Sequence, residues 1–264
     1  MTISSMIKIF TIPIAQISRK EGAKNFVKYA EEEKGHFFAS TPNAEILLKA
    51  QKNPKLKKFL KSCVLNFPDS VSMQWAAEYQ AKNWSKIRAV FELFFLPIRK
   101  KKWKTIPERV CGSDVFEDIC EEASKKNLKI FLLGGLGGVA EKTKNNLEAD
   151  YPEIQIVGVS EASPNDINII EEINKSEAQI IFTAYGCPTQ ELWIVENLKH
   201  IPSARIAMGI GGTFDFYAGK IIRAPKSFQK LGLEWLWRLI KEPKRIGRIL
   251  NAVVVFPFKI LFAK

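Results

Sequence analysis

Short apolar runs alternate with stretches of helical periodicity along the second half of the chain. Lys129–Leu133 (KIFLL) has strand length and ends in Gly134-Gly135-Leu136-Gly137-Gly138, after which Val139–Ala149 has helical character. Ile154–Val159 is a second run, Glu171–Asn174 sits in a polar helix, and Gln179–Ala184 is a third run, leading to Gly186-Cys187-Pro188. A helix through Gln190–Leu198 precedes the run Arg205–Met208 and the glycines Gly209, Gly211 and Gly212. Apolar runs too short for helices, separated by helices, predict a Rossmann-like parallel sheet covered on both faces, the α/β class. Ligands of such sheets bind beyond the carboxyl ends of the strands, where these glycine turns fall.

The first half is less regular. Lys8–Ile14 reads as a strand, Glu21–Glu33 as a helix and Phe37–Ser40 as another strand. Thr41-Pro42-Asn43 is a turn whose side-chain oxygens suit the N-terminus of a helix through Ala44–Gln51. Val64–Phe67 reads as a strand ending at Pro68-Asp69-Ser70, followed by a helix through Val71–Tyr79.

At 264 residues the chain is long enough for one large α/β domain with an appendage. Hydrophobic residues at 46% and charged residues at 26% exclude global disorder. The formal charge of +12 is concentrated in two places. Lys220–Lys264 holds eleven basic residues against Glu234 and Glu242, interleaved with Trp235, Trp237, Phe256 and Phe258. Gln80–Lys104 holds eight against Glu92, among Trp84, Phe91, Phe94, Phe95 and Trp103. Cations beside large apolar side chains suit an anionic bilayer surface, with a polyanionic ligand as the competing use of the arginines. Ile249–Phe258, the longest uncharged apolar run of the tail, is far below the roughly 20 residues that span a bilayer. Met6–Ile17 is broken by Lys8, Pro13 and Gln16 and reads as strand rather than signal peptide. Cys63, Cys111, Cys120 and Cys187 are scattered and read as reduced thiols, and His36 and His200 have no metal-ligand spacing.

Gly134–Gly138, between strand and helix, has a phosphate-binding geometry, with a tight turn that binds nothing as the plain alternative. Its spacing is neither GxGxxG nor a P-loop. Asp69, at a strand end, is placed either to act as general base or to cap the next helix. Asp215 is a ligand contact or a turn residue. Arg238, Arg245 and Arg248 share a helical face by their spacing, which suits a common anion as well as solvent. The chain contains no DxD pair to hold a metal on a nucleotide sugar, and no GxSxG.

Taken together these segments resemble the WecG/TagA/CpsF family of bacterial glycosyltransferases, glycosyltransferase family 26. The matching segments are Thr41-Pro42-Asn43, Pro68-Asp69, Glu108–Asp114 (ERVCGSD), Phe131–Lys142 (FLLGGLGGVAEK) and Tyr151-Pro152, then Gly186–Trp193 (GCPTQELW), Gly209–Gly219 (GIGGTFDFYAG), Arg223-Ala224-Pro225 and Gly232–Arg248. The resemblance implies inverting, metal-independent transfer from a UDP-sugar to a polyprenyl-diphosphate-linked acceptor, with no cofactor. It implies Asp69 as base, Thr41 and Asn43 as its active-site neighbours, Arg109 near the diphosphate and Gln190 at the sugar or acceptor. Gly134, Gly135, Gly137, Gly211 and Gly212 would hold UDP, with Asp215 beside them. Arg238, Arg245 and Arg248 would belong to a C-terminal appendage that docks over the site and grips the membrane.

The expected division is a catalytic domain over 1–231 and a membrane-associating helical appendage over 232–264. The expected location is the inner face of the cell membrane. A nucleic-acid partner is not expected, and homo-oligomerisation is left open. Ser70 departs from the glycine common after the aspartate, and the segment around 80–106 exceeds the family pattern. That basic-aromatic insertion reads as a second membrane contact, a lid over the lipid diphosphate, or a partner-binding element. The alternative from another class is a non-catalytic membrane or nucleic-acid binding protein that retains the fold.

Overall fold

The computed structural model describes residues 5–94, 103–221, 224–225, 228, 234–243 and 246–262, excepting the side chains of Phe94, Glu234, Trp235 and Arg238. The chain opens with β1 (Met6–Ile9), β2 (Ile12–Ala15), α1 (Arg19–Ala30), β3 (Phe37–Ser40), α2 (Ala44–Lys52), α3 (Pro54–Ser62), β4 (Leu65–Asn66), α4 (Val71–Ala81) and α5 (Lys86–Phe94). It continues through α6 (Gly112–Ser124), β5 (Lys129–Gly134), α7 (Val139–Asp150), β6 (Gln155–Ser160), α8 (Ile169–Ser176), β7 (Ile180–Ala184), α9 (Thr189–Asn197), β8 (Ile206–Gly209) and α10 (Thr213–Tyr217). The tail holds α11 (Glu234–Lys241), α12 (Ile246–Leu250), a π-helical turn (Asn251–Val255) and α13 (Phe256–Phe262).

Six strands form a parallel sheet in the order β4-β3-β8-β7-β5-β6. Its central strands are buried on both faces, which is why they appear in the sequence as continuous apolar runs. Alternate side chains feed two cores. Phe131, Leu133, Ile181 and Ala207 pack with α2, α3, α4, α8 and α9, whereas Ile130, Leu132, Phe182 and Met208 pack with α1, α6, α7 and α10. Crevices therefore open at the carboxyl edge. After β3 the chain turns to α2 on one face, and after the adjacent β8 it turns to α10 on the other.

Where Lys8–Ile14 reads as one strand, the structure has a hairpin, β1 pairing antiparallel with β2 from Met6↔Ala15 to Ile9↔Ile12. Its two turn residues, Phe10 and Thr11, have φ of 49° and 69°. A two-residue hairpin turn needs such left-handed backbone, usually supplied by Asn or Gly. Each non-glycine residue there costs about 1–2 kcal/mol. An edge-on contact between the Phe10 and Phe256 rings, centroids 5.7 Å apart, offsets part of that cost. Helix α3 is absent from the pattern-based reading although its start is marked. Asn53 Oδ1 accepts from Leu56 N at 3.1 Å, and Pro54 occupies the first helical turn.

The insertion is tied back to α4. Buried Glu78 accepts from the backbone N–H groups of Lys104 and Thr105 and pairs with Lys82 at 2.7 Å. Trp84 and Trp103 are buried in the main core and do not face a membrane, correcting that part of the expectation. Phe91 is exposed, while Phe95 and Arg99–Lys102 lie outside the described residues.

Candidate active site

The loop after β4 lies against the loop after β3, because Asp69 N donates to the Pro42 carbonyl at 3.1 Å. Asp69 itself does not cap α4. Ser70 is the N-cap, its Oγ accepting from Met73 N at 3.2 Å. The residue that departs from the family glycine thus takes the capping role and leaves the half-exposed Asp69 carboxylate directed elsewhere. Gly112 N, at the first turn of α6, lies 3.5 Å from Asp69 Oδ2. A side chain at position 112 would meet Thr41 Oγ1 at 3.3 Å and Thr213 Oγ1 at 3.7 Å, so glycine permits this helix end to reach both threonines. Asn43 spends Oδ1 on the cap of α2, accepting from Ile46 N at 3.0 Å. Arg109 is brought alongside because Val110 N donates to the Pro68 carbonyl at 3.0 Å. Asp69, Thr41, Asn43 and Arg109, predicted from distant segments, therefore gather at one end of the sheet.

The glycine turns continue this edge. Gly135 lies under Phe214, whose ring sits 3.0 Å from where a Cβ would be, while Gly134 pairs with Ala184 across β5 and β7. Gly137 and Gly138 have φ of 81° and 76°, and their N–H groups donate to the two carboxylate oxygens of Glu161 at 2.9 and 2.6 Å. Successive backbone donors in this left-handed geometry form an anion-binding concavity, and here an anion of the chain's own occupies it. Asp215 pairs with Lys220 at 3.4 Å, with Oδ2 beside Gly212.

Gln190 is buried, and its amide is engaged within the protein. Oε1 accepts from both Gly186 N and Gly211 N at 3.1 Å, and Nε2 donates to Glu191 at 2.9 Å. The amide lies flat on Gly209, where a Cβ would come within 2.5 Å of it. One side chain thus ties the turn after β7 to the turn after β8. Burial raises the Glu191 carboxyl above its ordinary range, against the opposing hydrogen bond from Gln190.

Of the three tail arginines, Arg248 is described. Its guanidinium pairs with Glu45 at 2.5 Å, on the first turn of α2, two residues beyond Asn43. The Arg238 side chain and Arg245 lie outside the described residues. Trp237 is half-buried against Phe228, centroids 5.8 Å apart. Among the described residues no group of three or more His, Cys, Asp or Glu gathers to hold a metal ion, and no helix is long and apolar enough to cross a membrane.

The profile of the Glycosyl transferase WecG/TagA/CpsF family matches residues 7–95 and 96–264, the two stretches meeting inside the basic insertion. The chain belongs to this family. It is 29% identical over 224 residues to the N-acetylglucosaminyldiphosphoundecaprenol N-acetyl-beta-D-mannosaminyltransferase of Bacillus spizizenii (strain W23), covering 84% of this chain and 78% of that protein.

The protein is thus a WecG/TagA/CpsF glycosyltransferase, and three residues that shape the candidate site escaped the reading of its sequence. Ser70 carried a signal, a serine just before a helix-forming stretch. Thr213 lay within the matched GIGGTFDFYAG segment but draws its meaning from Gly112, a hundred residues earlier. Glu161 carried none, since its partnership with the glycine turn exists only once β6 is paired beside β5.

Proposed function

We propose that this glycosyltransferase moves an N-acetylmannosamine-type hexose from a UDP-sugar to a polyprenyl-diphosphate-linked glycan acceptor, with inversion and without a metal ion, in cell-surface polysaccharide synthesis. The observation that carries the reading is the position of Asp69. It stands relieved of capping by Ser70, faces the N-terminal turn of α6, and shares that turn with Thr41. The Asp69 carboxylate takes the proton of the acceptor hydroxyl as its oxygen bonds to the anomeric carbon. The bond from that carbon to the UDP oxygen breaks on the opposite face, and UDP leaves with the electron pair. Negative charge on the departing diphosphate is met by backbone donors and by Arg109. The name of the Bacillus relative, which specifies a lipid-diphosphate acceptor and N-acetylmannosamine transfer, supports the substrate classes. The absence of a DxD pair from the sequence supports metal independence.

Residues 1–231 act in this proposal as the catalytic domain and 232–264 as the appendage at the inner face of the membrane. The test is a screen of UDP-sugars against a short-chain GlcNAc-diphosphate lipid, read by mass spectrometry with and without excess EDTA. Transfer of N-acetylmannosamine with an inverted anomeric centre and undiminished by EDTA is expected. No transfer to any lipid diphosphate would favour a non-catalytic protein, and loss on chelation with recovery on Mn²⁺ would remove metal independence.

A further inference from the structure

Helix α5 is inside out. Ala89 is fully buried, with its carbonyl accepting from Trp75 Nε1 at 2.9 Å, and Glu92 on the same inward side is 6% exposed. On the outward side Ile87 is 85%, Phe91 49% and Val90 39% exposed. The spacing of these three puts them on one helical face, and a helix resting on a water-soluble domain normally turns such a face to the core. The inserted segment instead keeps its acid inside and its apolar stripe outside.

The tail repeats the arrangement. Leu250, Val254, Phe258 and Phe262 follow one another at steps of four and are 51%, 57%, 61% and 57% exposed. The opposite side of the same helical stretch is sealed down. Phe256 and Ile260 are buried, Ser72 Oγ donates to the Ala252 carbonyl at 2.9 Å, and Arg248 holds Glu45. The two stripes, some 170 residues apart in sequence, converge in the fold. Lys86 Nζ, in the first turn of α5, stands 4.3 Å from the centroid of Phe262 in the last turn of α13. Lys86, Arg88 and Lys259 belong to these segments, Arg248 being engaged by Glu45, and the sequence has no acid between Gln80 and Phe91 or between Ile246 and Phe262.

Resting on the proposed membrane-facing tail, we propose that α5, in the segment that exceeds the family pattern, adds a second wall beside α12–α13 and so makes one composite docking face for an anionic lipid bilayer. Apolar side chains ringed by cations match the interfacial depth of such a bilayer, where burial and charge attraction add. The face sits over α2 and α4, whose N-terminal turns carry Asn43 and follow Asp69, so a docked protein holds its crevice beside the lipid surface. This deepens the reading of a lipid-linked acceptor, but it is tested through binding and does not depend on turnover.

The test uses the full chain, floated with vesicles of phosphatidylcholine alone or mixed with phosphatidylglycerol, in parallel with turnover on a water-soluble acceptor. The variants are Ile87→Glu/Phe91→Glu and Val254→Glu/Phe258→Glu. Each pair is expected to weaken binding to the anionic vesicles by about 10–100-fold, since each replaces with charges two apolar side chains that docking would bury. Turnover on the soluble acceptor is expected to stay within about two-fold of the parent, because the altered side chains face away from the core. Undiminished flotation of the α5 pair would overturn the composite face, leaving the tail alone. Equal binding to neutral and anionic vesicles would overturn the anionic specificity. Absence of flotation together with a parent dimer that both variants make monomeric would assign the face to a second copy. Flotation without transfer from any UDP-sugar would refute the functional reading and leave the face standing.

Discussion

The carboxyl edge of the sheet and the outer face of α5 and α13 are built on opposite terms. At the edge, polar groups meet partners inside the chain: Gln190 engages two glycine turns, Glu161 fills a third, and Ser70 rather than Asp69 caps α4. On the outer face, large apolar groups from two distant segments stand exposed together, with cations around them and Glu92 turned inward. The first region spends these polar groups within the folded chain, so in the proposed function a ligand would enter by exchange with existing contacts. The second is complete only against another surface. The inserted segment therefore divides by burial into an anchor and a contact. Trp84 and Trp103 hold the segment down, while Ile87, Val90 and Phe91 are what it presents.

The comparison breaks first at Asp69. Asp69→Asn is expected to lower turnover by roughly 10²–10⁴-fold with UDP affinity nearly unchanged, measured by steady-state kinetics beside calorimetric titration of UDP. Near-normal turnover would remove the base from the edge and leave only its architecture.

Gln190→Ala sharpens the claim that the edge is self-satisfied. It strands the part-buried N–H groups of Gly186 and Gly211 and the buried Glu191 oxygen that Gln190 Nε2 served, each unmet group costing about 1–3 kcal/mol at full burial. A thermal midpoint lower by roughly 5–10 °C is expected. A side chain that served the sugar instead would raise KM and leave the melting curve where it was.

The smallest effect concerns the seam between the two regions. Arg248 is half-exposed, so its pairing with Glu45 contributes about 0.5–1 kcal/mol. Partial burial would raise the Glu45 carboxyl, but hydrogen bonds from Arg248 and Lys49 outweigh it and hold it below its ordinary 4.5. A carboxyl lowered by folding stabilises fully above its unfolded value and loses that contribution as pH falls through the folded one. Hydrogen exchange over Asn251–Val255 is therefore expected to quicken as pH drops below about 4.5, after correction for intrinsic rates. In Arg248→Ala it should already be fast at neutral pH. Equal protection in both proteins at both pH values would mean that apolar packing alone seats the tail.

The sheet was legible because buried parallel strands leave unbroken apolar runs, and β3, β5, β7 and β8 fall within a residue of where those runs place them. The hairpin was hidden because Phe10 and Thr11 take backbone angles that their residue types do not announce. Asn53-Pro54 announced α3, and so did the helical spacing of Leu56, Phe59 and Leu60 among the lysines. Asp69 and Thr41 stood out through the motif resemblance, since a lone aspartate at a strand end is as fitting for a cap as for a base. Which aromatics of the insertion face outward was beyond the sequence. Trp84 and Phe91 have alike neighbours along the chain, yet the first lies in the main core and the second is exposed.

The carboxylate of Glu161 gives the glycine turn a further property. In the proposed function, a diphosphate arriving at Gly137 and Gly138 would find their N–H groups already given to Glu161. It would have to displace a tethered rival that is always present at the same effective concentration, however little ligand is free. Measured affinity at this turn is then a difference between two anions, scaled by the fraction of molecules in which the glutamate has let go. A ligand with a single weakly accepting oxygen gains nothing from the trade, whereas one offering several charged oxygens on adjacent phosphates does. A turn used in this way would weigh its visitors by charge density before any sugar is inspected.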